Sequence, residues 1–536
     1  MSVRPLLPAA VCDQLGQAVA DRFGSVAVSE ALGLAGEAAM SRGDLSGADR
    51  LTRQGSDTET LIRLFLLGLP VPAAAAEAAL RPLPLAEAEA AGLLERADGQ
   101  LRATLDLRPY SETGGPDWWV VSDLGAEVRP GPLYAEHVLG IGSAGLTLAE
   151  ATVRGPVRHA LDVGTGCGVQ ALHLSEHSAT VTATDLSDRA LRMAATTAAL
   201  NGKHWEFRQG SLLEPVAGRQ FDLIVSNPPF IVGPGFSPGA GGFRYRDSGL
   251  PGDAVCAELV GGLPARLAEG GTGQVLANWI IDGSRSWQER VTGWLPATGC
   301  QAWIWQREVA EPGEYVALWL RDAGEQPGTA AWRQRYDDWL DWFAASGVAG
   351  IGMGLVNVRR TGQEVSEVVC QDVPQPHEHP VGPAIEEWFG RAAWLRDRPV
   401  EQLLQARLVA VPGLVRSSHA LITDEGWQPA LVQLRQAGGL RWELEVDDAV
   451  AGLVAACTGR TPLGVLLSLL AAGVSAGTDE VIAALLPVVR DLVERGFLVP
   501  AELVPAGVPA GGAVPIEGAA VGGAAVEGAP EPGAGR

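Results

Sequence analysis

The sequence is nearly without lysine: Lys203 stands alone against 39 arginines. It also lacks any C-x-x-C pair, since its six cysteines (Cys12, Cys167, Cys256, Cys300, Cys370 and Cys457) are scattered. No apolar run is both long and uninterrupted. The most apolar long stretch, Leu64 to Leu80, carries Pro70, Pro72 and Glu77, whereas a spanning helix needs about 20 apolar residues. Pro5 to Val11 is short and twice interrupted by proline, so no signal-peptide pattern is present. Positive charge is scarce too. A formal net charge of −23 argues against a protein whose whole surface embraces nucleic acid. Together these absences exclude a disulfide scaffold and a membrane-spanning chain, and predict a reduced, cytoplasmic protein with free thiols. His377-Glu378-His379 near Cys370 lies among Pro374, Pro376 and Pro380, and reads as solvated loop, so no metal site is expected.

What is present is ample apolar material. The 536 residues are 47% hydrophobic and 19% charged, enough for several buried cores. The patterns divide the chain into four. Residues 1–110 read as a helical, winged-helix-like domain: Ser56-Asp57 can cap a helix with Leu61, Leu64 and Phe65 on one face. Its last part reads as a hairpin over Leu94 to Leu107, turning at Asp98-Gly99 with Leu101, Ala103, Leu105 and Leu107 alternating. The domain lacks a basic recognition helix, which favours packing or protein binding. Residues 111–370 alternate strand and helix patterns. Strands are expected near 159–163, 180–184, 205–208, 221–226 and 273–279, with helices near 168–176, 187–200 and 253–269. This alternation predicts an α/β, doubly wound, mostly parallel sheet. Further strands are expected over Gln301–Trp305, Tyr315–Leu320 and Ile351–Arg360, with a Trp-rich helix over Ala330–Ala345. Residues 371–500 read as a second helical, winged-helix-like domain, with Thr461-Pro462 starting a helix. Residues 501–536, rich in Ala, Gly, Pro and Val, read as a flexible tail.

The chemistry concentrates in Ala160 to Phe230. An apolar strand ends in Asp162-Val163-Gly164-Thr165-Gly166-Cys167-Gly168, a strand–turn–helix whose glycines let a ligand approach the backbone. A pyrophosphate-binding turn has its third glycine one place later. Here an acid also precedes the turn, which suits a cationic ligand better than an anionic one. S-adenosyl-L-methionine carries a sulfonium and an ammonium. Asp185 follows Gly164 by 21 positions, at the end of the next strand, where a carboxylate can accept both ribose hydroxyls.

The second motif is Asn227-Pro228-Pro229-Phe230. A planar amino nitrogen is a poor nucleophile because its lone pair is delocalised. Two acceptors at about 2.9 Å from its N–H groups can draw it towards sp³ geometry. The Asn227 side-chain oxygen and the Pro228 carbonyl suit that task. The prolines stiffen the loop and offer no competing donor, and Phe230 offers a face for a flat group.

At these residues the chain resembles class I S-adenosylmethionine-dependent methyltransferases with an NPPF-type motif. That branch includes release-factor glutamine N5-methyltransferases and adenine-N6 and guanine-N2 base methyltransferases. The resemblance covers roughly residues 115–360. It implies a Rossmann-like, seven-stranded methyltransferase sheet and S-adenosyl-L-methionine as cofactor. It carries donor contacts to Asp162, Gly164, Thr165, Gly166, Gly168, Asp185, Leu186, Ser211 and Leu212. Asn227, Pro228, Pro229 and Phe230 become the catalytic, acceptor-binding residues. Ser211 stands where the family commonly has an aspartate, so the resemblance leaves the adenine contact to Ser211 or a backbone N–H.

For the acceptor, acidic charge and scarce lysine favour a protein over a polyanion, whose binding needs several phosphate contacts. The expectation is a glutamine side-chain amide on a protein, such as a translation factor. The alternatives are an exocyclic base amino group in RNA or DNA, and a catalytically silent binding module. Gly242 to Asp253 resembles a stretch of the glutamine enzymes, and Arg244 and Arg246 are candidates to grip a phosphate or carboxylate.

Overall fold

The computed structural model describes residues 3–112, 115–125, 128–129, 136–235 and 249–504. Arg244, Arg246 and the tail after 504 lie outside these residues. The chain divides into two compact units, Met1–Pro374 with Pro380–Pro383, and Gln375–His379 with Ala384–Arg536.

The first unit is built on an eight-stranded sheet. Its strands are β1 (Val157–Val163), β2 (Ser178–Asp185), β3 (Trp205–Gln209), β4 (Phe221–Ser226), β5 (Leu267–Ile281), β6 (Cys300–Ala310), β7 (Gly350–Arg360) and β8 (Glu367–Asp372). Their order is β8-β6-β7-β5-β4-β1-β2-β3. Only β7 runs antiparallel to its neighbours. The expected doubly wound, mostly parallel sheet is therefore present, with Glu367–Asp372 added as an eighth strand beside β6. Ala160, Leu161 and Val163 of β1 and Leu223 to Val225 of β4 are buried, the near-continuous apolar runs of strands covered on both faces.

The helices that cover the sheet begin with α1 (Val169–Ser175), α2 (Asp188–Leu200), α3 (Ala254–Arg266) and α4 (Trp287–Thr292). Ser187 caps α2 by accepting the Ala190 N–H at 3.3 Å. Leu259 and Leu263 of α3 join Phe221, Ile224 and Trp279 in one apolar core. Two more helices, α5 (Pro312–Asp322) and α6 (Ala330–Ala345), are inserted between β6 and β7.

The N-terminal helices, Ala9–Ala20, Ser25–Ser41, Leu45–Leu51 and Asp57–Leu61, belong to the same unit. Ser56 and Glu59 form a full capping box at the last of them. The amide of Asn201, at the end of α2, accepts from Trp119 N at 3.0 Å and donates to Trp119 O at 2.9 Å. Leu6 N adds a bond to Thr196 Oγ1 at 2.8 Å.

Several expectations are corrected. Tyr315–Leu320 is helix, not strand: Tyr315, Val316, Trp319 and Leu320 recur with helical spacing after Pro312 in the first turn. The hairpin stops at Leu94–Ala97 and Gln100–Ala103, because Asp106–Ser111 pairs with Asp117–Ser122 instead. The second unit is not wholly helical. Leu414–Thr423, Gly426–Gln436 and Glu443–Val446 form an antiparallel meander, mostly exposed, so its strands lack a clean apolar alternation. Thr458–Pro462 is a short strand, and its helix begins only at Leu463.

Gly168 is the N-cap of α1 with φ +89°, and a Cβ there would lie 2.8 Å from the Trp205 ring. Gly168→Ala is therefore expected to destabilise the sheet unit by about 2–4 kcal/mol, combining backbone strain and overpacking. Urea denaturation followed by tryptophan fluorescence measures this; a change below about 0.5 kcal/mol, typical of a neutral surface site, contradicts it.

Candidate active site

The site grows from strand register. Val163, the last residue of β1, is paired with Thr184 of β2 on one side and Ser226 of β4 on the other. Asp185 is paired with Gln209 of β3. The ends of four parallel strands thus share the sheet edge where open α/β sheets take ligands.

Beyond Val163 the chain turns through Gly164 (φ +73°) and Gly166 (φ +55°), a left-handed path that glycine follows without strain. Gly164 N and Thr165 N donate to Thr184 O at 2.9 and 2.8 Å. The Asp185 carboxylate braces the turn: Oδ2 accepts from Gly166 N at 3.0 Å and Oδ1 from Ser187 N at 2.9 Å. A Cβ at Gly164 or Gly166 would meet nothing within 4 Å, so open space lies against the turn.

Asp162 lies wholly buried beneath the turn. Its Oδ2 accepts the Thr165 hydroxyl at 2.7 Å, while Oδ1 has no hydrogen-bond partner among the described residues. Burial pushes its carboxyl up to about 7; the Thr165 hydrogen bond opposes this and the nearby charge of Asp185 adds to it. Burial also holds the Asp185 carboxyl above the ordinary range, against the N–H groups of Ser187 and Gly166. Two carboxyl groups, one with an orphaned buried oxygen, beside an open glycine cradle fit a cationic ligand. S-adenosyl-L-methionine meets that description. When bound it supplies a methyl group on a sulfonium leaving group.

The rest of the expected donor site is assembled around the brace. Gly210 N donates to Asp185 O at 3.0 Å, which brings Ser211 and Leu212 beside it. Leu212 itself is left-handed at φ +44°. Leu186 is 56% exposed, an apolar surface at the rim. On the other side of β1, Ser226 is buried and its hydroxyl donates to Val163 O at 2.7 Å. This bond ties the start of Asn227-Pro228-Pro229-Phe230 to the strand that carries the glycine turn. Pro228 is buried, Asn227 and Phe230 are half-buried, and the Phe230 ring meets Trp319 of α5 edge-on at 6.0 Å.

All the residues named from the sequence fall on this edge, except Arg244 and Arg246, which lie outside the described residues. Ser226 was missed. The available signal was a hydroxyl at the end of an apolar strand, directly before the motif. Tyr315 and Trp339, which bond the N–H and C=O of Val232 at 2.9 and 3.1 Å, were also missed, Tyr315 because its segment reads as a strand.

Residues 130–239 match the family described as a methyltransferase small domain. Over this edge of the sheet the chain is similar to class I methyltransferases. The release factor glutamine methyltransferase of Deinococcus radiodurans is 53% identical over 73 residues, covering 13% of this chain and 26% of the relative. That of Xylella fastidiosa is 39% identical over 122 residues, 21% of this chain and 44% of the relative. The ribosomal RNA small subunit methyltransferase C of Cronobacter sakazakii is 37% identical over 142 residues, 25% of this chain and 39% of the relative. The chain thus spans less than half the length of these curated relatives. Residues 20–104 and 386–500 each match a domain of unknown function.

The state of Asp162 predicts a pH dependence. A cationic donor favours the charged carboxylate, so binding should release a proton below about pH 7. Affinity for S-adenosylmethionine should fall as pH drops through 7 towards 5, by up to about tenfold per pH unit. Asp162→Asn should bind more weakly and lose most of that slope in calorimetric titration, any remainder coming from the raised carboxyl of Asp185. A slope undiminished in the variant contradicts the assignment.

Proposed function

We propose that the protein is an S-adenosylmethionine-dependent N-methyltransferase whose acceptor is the side-chain amide of a glutamine in a protein. The observation that carries this reading is the tie between the two motifs. The Ser226 hydroxyl on Val163 O at 2.7 Å sets the Asn227 loop beside the glycine turn. Donor and acceptor on neighbouring strand ends need only positioning for an in-line displacement at the sulfonium, so no strong base is required.

In this reading Asp185 accepts the ribose hydroxyls, and Asp162 supplies the negative field under the turn. Gly164, Thr165 and Gly166 give close backbone approach, Gly168 lets the start of α1 pack against Trp205, and Leu186, Ser211 and Leu212 line the adenine side. Asn227 and the Pro228 carbonyl accept the two amide N–H groups and free the nitrogen lone pair, and Phe230 stacks on the amide plane.

A protein acceptor is supported by the release factor relatives and by the acidic charge of the chain. A translation factor is the partner this implies, in the cytoplasm. Among the described residues no helix is long and apolar enough to cross a membrane. The second reading, an exocyclic amino group of a base in RNA, is supported by the similarity to a ribosomal RNA methyltransferase over 142 residues.

Incubation with labelled S-adenosylmethionine and bacterial extract separates the two. Label that resists nuclease but is lost to protease is the expected result; nuclease-sensitive label contradicts the protein acceptor. Asn227→Ala should lower transfer by at least about 100-fold, the effect typical of removing one preorganised group. Its donor affinity should stay within about threefold, less than one ordinary hydrogen bond. Undiminished transfer in that variant contradicts the role of Asn227.

A further inference from the structure

The Asn227–Phe230 loop has two ends, and the tie to Val163 holds only the first. The second is held by the helices inserted between β6 and β7. Val232, two residues beyond Phe230 and fully buried, donates its N–H to the Tyr315 hydroxyl of α5 at 2.9 Å. Its carbonyl accepts from Trp339 Nε1 of α6 at 3.1 Å. The Tyr315 oxygen also accepts from Asn278 Nδ2 of β5 at 3.0 Å, anchoring the clamp to the sheet. Tyr315 and Trp319 meet edge-on at 6.0 Å, as do Tyr315 and Trp339 at 6.4 Å, and Trp319 abuts Phe230. A Cβ at Gly233 would lie 3.2 Å from the Trp339 ring, so the following residue gives the indole room to reach Val232.

We infer that Tyr315 and Trp339 are positioning residues for the acceptor loop, and that the inserted helices exist in part to hold it. Apolar packing alone could seat two helices on a sheet. Here the polar atoms of two buried aromatic residues converge on the N–H and C=O of one residue, Val232, just past the motif. The motif has particular need of such a clamp, because Pro228 and Pro229 carry no N–H with which the loop could hold itself. With the loop held at both ends, the Asn227 oxygen and the Pro228 carbonyl keep their places. A shift of about 1 Å in such groups lowers a rate by about 100-fold. This inference rests on the proposed methyl transfer for its purpose, but the clamp itself can be tested without an acceptor.

Tyr315→Phe keeps the ring and removes the oxygen. In hydrogen–deuterium exchange, the segment containing Val232 should exchange at least about tenfold faster than in the full-length wild-type protein, as expected for a locally freed amide. The dissociation constant for S-adenosylmethionine should stay within about twofold, since no donor contact is touched. Labelled-methyl transfer to bacterial protein extract should slow by about 10- to 100-fold. Trp342→Phe, in α6 with Trp339 but without a hydrogen bond to Val232, is expected to leave all three readouts at wild-type values. If Tyr315→Phe does not fold, Trp339→Phe, which removes one donor, carries the same expectations. Unchanged exchange at Val232 overturns the clamp, and unchanged transfer overturns its positioning role. A wild-type protein that binds no S-adenosylmethionine contradicts instead the functional reading on which the purpose of the clamp rests.

Discussion

The site depends on the way the end of one strand is held between its neighbours. Val163 lies between Thr184 and Ser226. The Thr184 carbonyl accepts the first two amides of the glycine turn, and the Ser226 hydroxyl caps the Val163 carbonyl. Both candidate binding elements hang from this one junction. A shift of β1 by one residue would reverse its faces and break the match between the turn, the Asp185 brace and the Asn227 loop. The buried, apolar character of β1 and β4 therefore does more than fill a core. It sets the register that brings the two motifs together.

The two motifs are stiffened by different means. At the turn, left-handed glycines and the Asp185 carboxylate fix the backbone while leaving open space beside it. Burial holds the Asp162 carboxyl up at about 7, so its charged form is costly unless a cation lies nearby. At the loop, two prolines remove backbone freedom and backbone donors together. Outside groups on Ser226, Tyr315 and Trp339 supply the bonds that the prolines cannot make.

Much of this was legible from the sequence, for identifiable reasons. The strand–helix alternation from Ala160 to Trp279 has strong periods and clear stops, such as Asn201-Gly202, and the structure follows it closely. The glycine turn and the Asn-Pro-Pro-Phe loop are local patterns, each visible in a few consecutive residues. What was not legible was long-range or weakly patterned. The bond from Tyr315 to Val232 joins residues 83 positions apart, and no local pattern announces it. The segment around Tyr315 is so rich in β-forming residues that propensity suggested a strand. Burial of one helical face decided otherwise. The exposed meander from Leu414 to Val446 escaped notice because strands covered on neither face need no apolar alternation.

The central claim is geometric: a donor in the glycine cradle presents its transferable group to the Asn227 loop. The most direct measurement is a crystal structure with sinefungin, whose amine stands where the sulfonium methyl would be. The account predicts sinefungin against Gly164–Gly166, its ribose on Asp185. Its amine should face Asn227 and Pro228, leaving room for an acceptor nitrogen about 3–3.5 Å from the transferable group. Sinefungin bound elsewhere on the chain, or with its amine turned away from Asn227, would contradict it.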